Sequence, residues 1–144
     1  MDRIRLGSKE PLKVSPQDTV VSAARAMTER QVRSAAVLDG DKVIGVVTVN
    51  DVVKKVVAAS RDPNITRVAD IMSSPAQSID RNTSVSSAAD IMRKKRIRHL
   101  VVLDEHEKLV GMLSLPYVFY DLTDSLERNV GDLMGLLMIV GPGG

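Results

Sequence analysis

The sequence predicts an α+β fold in which one unit is used twice: a short leading strand, a helix, a strand, a turn, a strand and a helix. An internal repeat is the first observation behind this. It sets Val20, Ala23, Ala24 and Met27 over Val85, Ala88, Ala89 and Met92 at one constant offset. The same offset carries Val32-Arg33 onto Ile97-Arg98 and Val37-Leu38-Asp39 onto Val102-Leu103-Asp104. One residue is added in the second turn, after which Gly45 falls on Gly111 and Thr48 on Ser114. The second observation is that each copy changes from helical apolar spacing to short continuous apolar runs in the same order.

Leu12-Lys13-Val14 reads as the leading strand of the first copy, which covers residues 1–62. From Thr19 to Arg30 the apolar positions Val20, Ala23, Ala24 and Met27 follow a helical period, with Asp18 or Thr19 placed to cap the start. Ala35 to Leu38 fits a buried strand, Asp39 to Lys42 a turn and Val43 to Val47 the next strand. A second helix is expected from about Asn50 to Ser60, followed by the polar linker Arg61-Asp62-Pro63-Asn64.

The second copy, residues 63–121, repeats the series. Gln77-Ser78-Ile79 leads, Ser84 to Lys95 is helical, and Leu100 to Leu103 and Leu109 to Leu113 are strands about the turn Asp104 to Lys108. A helix follows from about Pro116, a residue whose missing N–H costs nothing in a first helical turn. An extension, residues 122–144, carries Leu122, Leu126, Val130, Leu133, Leu136 and Leu137 close to one helical face, expected to run to Val140. That face would either complete the chain's own core or form a dimer contact. Each copy is too small to bury a comfortable core alone, so the two are expected to share one.

Composition narrows the function. Hydrophobic residues make up 44% and charged residues 26%, the balance of a soluble globular chain. With two Tyr, one Phe and no Trp, stacking successive bases on aromatic platforms is not supported. A net charge of +2 gives little argument for nucleic acid. Absence of cysteine excludes disulfides, thiolate metal sites and a thiol nucleophile. No signal peptide opens the chain, and the longest nearly apolar run, Leu133 to Val140, is far short of a membrane span, so a cytoplasmic protein is expected.

Gly45 to Asp51, read Gly-Val-Val-Thr-Val-Asn-Asp, ends a β-branched run at a helix start and places a hydroxyl, an amide and a carboxylate there. Unpaired N–H groups at a helix start suit a phosphate, and a carboxylate suits the two hydroxyls of a ribose. Thr48 three residues before Asp51 also fits a capping box, in which the same groups serve only the backbone. Both readings stand at this level.

The duplicated unit, the Asp70-Ile71-Met72 opening of the second copy and Gly45 to Asp51 together resemble a pair of CBS domains, the Bateman module. Arg96-Ile97-Arg98-His99-Leu100-Val101-Val102-Leu103-Asp104 is similar to the basic pair before a strand in the AMP-binding gamma subunits of AMP-activated kinases. The resemblance implies tandem CBS repeats with pseudo-two-fold symmetry and two clefts between them, each able to hold an adenosine derivative. It implies a regulatory sensor of energy state rather than an enzyme, with AMP as ligand and ADP or ATP as competitors. It also implies a homodimer formed through helices, and an unidentified protein partner that reads the ligand state.

Carried over residue by residue, one site takes Val46, Thr48, Asn50 and Asp51 from the first copy. From the second it takes Pro75, Ala76, Gln77, Ile97 against the base, and Arg98 with His99 toward phosphate. The other site would use Pro11, Leu12, Val32, Arg33, Ser34 and Ser114, but Tyr117 stands where the aspartate belongs and Pro116 removes a donor. Leu6-Gly7-Ser8-Lys9 also departs from the Asp-Ile-Met opening, so this second site is expected to be the weaker.

Arg93-Lys94-Lys95-Arg96 ends a helix, where cations complement the dipole; a positive mouth for phosphate or nucleic acid is the other reading. His99 and His106 have no third ligand in view, so no metal is expected. No Gly-x-Ser-x-Gly, phosphate loop or His-Glu-x-x-His occurs, and no catalytic constellation is evident.

Overall fold

Alternation along each strand explains the architecture. In the computed structural model, which describes residues 10–114 and the backbone of residues 138–140, strand β1 (Lys13–Val14) pairs in parallel with β2 (Ser34–Asp39). Strand β2 in turn pairs antiparallel with β3 (Lys42–Thr48). Helix α1 (Val20–Arg30) lies between β1 and β2 in sequence. The second copy repeats this with β4 (Ser78–Asp80), α4 (Val85–Lys95), β5 (His99–Leu103) and β6 (Leu109–Ser114). The repeat extends to the irregularities, since both sheets carry a register shift at matching places, Val37/Leu38 and Val102/Leu103.

The two long helices are begun and ended in the same way. Thr19 and Ser84, extended in backbone, accept from the N–H groups of Ser22 and Ser87 through their hydroxyls at 3.2 and 3.1 Å. Each supplies one of the donors a helix start leaves unpaired with a partner. Both helices close on a non-glycine residue in the left-handed region, Gln31 (φ 56°) and Arg96 (φ 54°). The following N–H groups, of Val32 and Ile97, then donate back to the carbonyls of Met27 and Met92.

Because successive strand residues face opposite ways, Ala35 and Val37 pack on Val20, Ala23 and Met27, while Leu100 and Val102 pack on Ala88, Ala89 and Met92. The alternate residues Ala36, Val46, Val101 and Met112 meet in a third cluster that joins the two copies through their sheets. Shared burial between the copies, expected from their size, is thereby accounted for.

Three features depart from the sequence expectation. The helix after β3 begins as α2 (Val49–Val52) and widens into a π turn at Val53–Val57, with the N–H groups of Ala58 and Arg61 reaching back to Val53 and Val56. A one-turn helix, α3 (Val68–Ile71), lies ahead of β4, and its Val68 and Ile71 are buried in the core of the first copy. The extension, expected to be helical to Val140, ends instead in a strand, β7 (Met138–Val140), antiparallel to β6. An open strand edge offers unpaired N–H and C=O groups, and pairing satisfies them for a β-branched segment such as Ile139-Val140. Residues 122–137, the helix from Pro116, and Tyr117 lie outside the described residues.

Candidate functional site

The capping box foreseen at the β3–α2 junction is formed. Asp51 Oδ2 accepts from the Thr48 N–H at 2.9 Å and from its hydroxyl at 3.1 Å, and Thr48 Oγ1 accepts from the Asp51 N–H at 3.1 Å. The other carboxylate oxygen, Oδ1, lies 3.2 Å from Lys55 Nζ, which also donates to the Ile71 carbonyl at 2.9 Å. Capping therefore holds the carboxylate without exhausting it, since a carboxylate accepts at about four lone-pair positions.

Above this junction is a cavity of about 260 Å³. It is lined from the first copy by Val46, Thr48, Asn50, Asp51 and Lys54, and from the second by Ser73, Ala76, Gln77, Arg96, Ile97, Arg98 and His99. Asp51 and Arg98, from opposite copies, thus line one half-open cleft. Of the residues assigned to this site from sequence, Pro75 alone is not on the wall; it is exposed beside a cis peptide bond with Ser74.

Three wall residues were not among those assigned to the site from sequence, although one of them, Arg96, belongs to the basic run whose second reading was a positive mouth for phosphate. Ser73 reaches the cavity through a local antiparallel bridge, its N–H and C=O bonded to Val46 at 2.9 and 3.0 Å. That approach leaves no room beside Gly45, where an added Cβ would lie 2.8 Å from the Ser73 carbonyl oxygen. Lys54 is one turn beyond Asp51, a spacing that could have pointed to it. Arg96 is turned to the cavity at the left-handed helix end, a conformation no sequence pattern announced.

His99 lines the cavity beside Arg98, and its ring is held uncharged. Burial, then the Arg98 guanidinium, lowers its pKa from 6.5 to about 4; Asp51 acts in the opposite sense and Arg33 adds to the lowering. The ring is consequently neutral near pH 7, and it offers a hydrogen bond rather than a positive charge to a phosphate. Its Nδ1 is buried with no hydrogen-bond partner among the described residues. The basic run ending α4 divides: Arg93 pairs with Asp90 at 3.4 Å and Lys95 donates to Gln77 Oε1 at 2.7 Å, while Arg96 lines the cavity.

None of the residues assigned to the second site lines this cavity. Pro11, Leu12, Val32, Ser34 and Ser114 are buried and Arg33 is exposed. Leu12 and Val32 belong to the first copy's core, whereas Ile97, the counterpart of Val32, is only partly buried and reaches the cavity wall. Among the described residues no group of three His, Asp or Glu is placed to hold a metal ion, and no helix is long and apolar enough to cross a membrane.

The CBS domain family model matches residues 4–58 and again 68–120. The chain belongs to the CBS domain family. It is a CBS pair, and CBS domains are in general regulatory modules. An uncharacterised protein of Methanopyrus kandleri is 30% identical over 122 residues, 79% of this chain and 62% of that protein. The chain thus spans under two thirds of that relative and a smaller share of longer ones. Among solved structures, a protein with CBS domains from Burkholderia ambifaria is similar at 30% identity and a TM-score of 0.69, covering 84% of this chain and 85% of that one. A CBS domain protein from Pyrobaculum aerophilum, complexed with AMP, has the same fold at 23% identity and a TM-score of 0.69, covering 83% of this chain and 95% of that one.

Proposed function

We propose that this CBS pair is a regulatory module that binds an adenosine nucleotide in the cavity between its copies. The observation that carries the reading is that Asp51 and Arg98 come from different copies and line one cavity of about 260 Å³. A carboxylate accepts from ribose hydroxyls, and a guanidinium forms charge-assisted bonds to phosphate. Val46, Ala76 and Ile97 supply the apolar wall for a base and Asn50 and Gln77 its polar partners, while the neutral ring of His99 serves the phosphate beside Arg98. AMP is the smallest ligand that uses all these groups, and AMP is the ligand of the Pyrobaculum relative. The finer likeness to kinase gamma subunits rests on the Arg96 to Asp104 stretch alone.

Binding would join the two copies and favour one relative arrangement of them, which a protein partner could read. Titration calorimetry with AMP tests the reading. Arg98→Gln and Asp51→Ala are expected to weaken binding tenfold or more, about 1.4 kcal/mol each. Asp51→Ala also removes half of the capping box, so its fold is checked by circular dichroism. Unchanged affinity in both folded variants would overturn the proposal.

A second reading, a dimerisation module, is favoured by the outer face of α2 and the π turn. Val49, Val53 and Val57, spaced four apart, are 42%, 51% and 70% exposed. The two readings are compatible in a homodimer. Sedimentation at micromolar concentration should show a dimer that Val53→Glu dissociates; a monomeric parent chain would refute this contact.

A further inference from the structure

Adjacent in sequence, Lys54 and Lys55 serve different tasks. Lys54 lines the cavity and Lys55 does not. The Lys55 ammonium instead makes two contacts within the chain, to Asp51 Oδ1 at 3.2 Å and to the Ile71 carbonyl at 2.9 Å. Ile71 ends the one-turn helix α3, and a helix end leaves its last carbonyls without intrahelical partners. Two residues on, Ser73 is bridged to Val46 and forms part of the wall. One side chain thus ties the first copy's carboxylate to the segment that opens the second copy's side of the cleft. The lone pairs of Asp51 show what that tie controls. Oδ2 accepts two bonds, from the N–H and the hydroxyl of Thr48, and a carboxylate has about four acceptor positions in all. Lys55 takes one at Oδ1, so the position left for a ligand is on the oxygen that Lys55 holds. An exposed ion pair contributes little to stability by itself. This carboxylate is only 13% exposed, however, and the direction of its free lone pair depends on what fixes Oδ1.

We infer that Lys55 is a positioning residue for ligand binding, aiming Asp51 Oδ1 at a ribose hydroxyl and holding residues 71–73 in register with it. The inference rests on the nucleotide reading above and adds a residue that never touches the ligand. The internal repeat agrees with it. Where the first copy has Asp51 and Lys55 the second has Tyr117 and Asp121, so carboxylate and ammonium are absent together. A helix cap alone requires no lysine.

Calorimetry of the parent chain, Lys55→Met and Lys55→Arg tests this with AMP and with its dideoxyribose analogue, which lacks both ribose hydroxyls. The parent is expected to bind AMP about tenfold tighter than the analogue, in line with one charge-assisted hydrogen bond. Lys55→Met should remove most of that preference by weakening AMP, while leaving the analogue within about twofold. Lys55→Arg, which keeps the charge and the donors, should restore much of the preference. Equal losses for both ligands in Lys55→Met, or no loss for AMP, would overturn the inference and leave the nucleotide reading standing. A parent chain that binds neither ligand would overturn the nucleotide reading instead. The tie itself is then read without ligand, by amide hydrogen exchange at Met72 and Ser73, whose N–H groups donate to the carbonyls of Val68 and Val46. Lys55→Met should speed that exchange severalfold, and unchanged exchange would overturn the tie.

Discussion

Lowering the pH from 7 to 5 should cost the folded chain about 2 kcal/mol through His99 alone. The imidazole is held at a pKa of about 4 in the folded chain against an ordinary value of 6.5. Between those values the unfolded chain takes up the proton and the folded chain does not. Stability owed to the neutral ring is therefore complete above 6.5 and is lost as pH falls toward and through 4. Over the whole interval the loss approaches about 3 kcal/mol, at roughly 1.4 kcal/mol per pH unit of difference. The groups that face the ring set the size: burial disfavours the imidazolium, Arg98 and Arg33 repel it, and Asp51 alone attracts it. Urea unfolding of the parent chain and of His99→Gln at pH 7, 6 and 5 isolates the effect, because every other ionisable group is common to both proteins. The parent should lose about 2 kcal/mol more than the variant over that range. Equal losses would refute the claim that this ring is buried uncharged.

Further outcomes follow from single contacts. Gly45→Ala sets a Cβ 2.8 Å from the Ser73 carbonyl, which cannot withdraw without breaking its bridge to Val46; a loss of about 1–3 kcal/mol is expected in urea unfolding. Thr48→Ala removes one member of the α2 capping box and should cost about 1 kcal/mol. With Asp51→Ala the pair should lose less than the two single losses combined, measured as a double-mutant cycle. Gln31→Gly relieves a left-handed side chain at φ 56° and should raise stability by about 0.5–1 kcal/mol, visible as a higher midpoint on heating.

What could be read from sequence was whatever local chemistry decides. Thr19 and Ser84 announce their helices because a hydroxyl at the start of an apolar period does the capping in any context. Val37-Leu38 and Val102-Leu103 announce buried strands because both faces are covered. Helix α3 was not legible, since one turn has too short a period to show, and its place is set by Val68 and Ile71 finding the first copy's core. Strand β7 was misread because Met138 to Val140 continue an apolar run, and only a distant partner, β6, makes them extended. At the site, Thr48, Asp51, Arg98 and His99 were found as motif members and Arg96 only as the end of a basic run, whereas Ser73 reaches the wall through a bridge that depends on backbone geometry. The charge of His99 could not be read at all, because burial set it.

Val68 and Ile71 belong by sequence to the second copy and by packing to the first. A cut in the linker at Asp62 would therefore strip the first half of two side chains that are almost wholly enclosed, and neither fragment would keep the cavity wall. The polypeptide should melt as one cooperative unit, not as two beads on a string. Its ancestral duplication survives as symmetry of shape while autonomy of the parts has been given up.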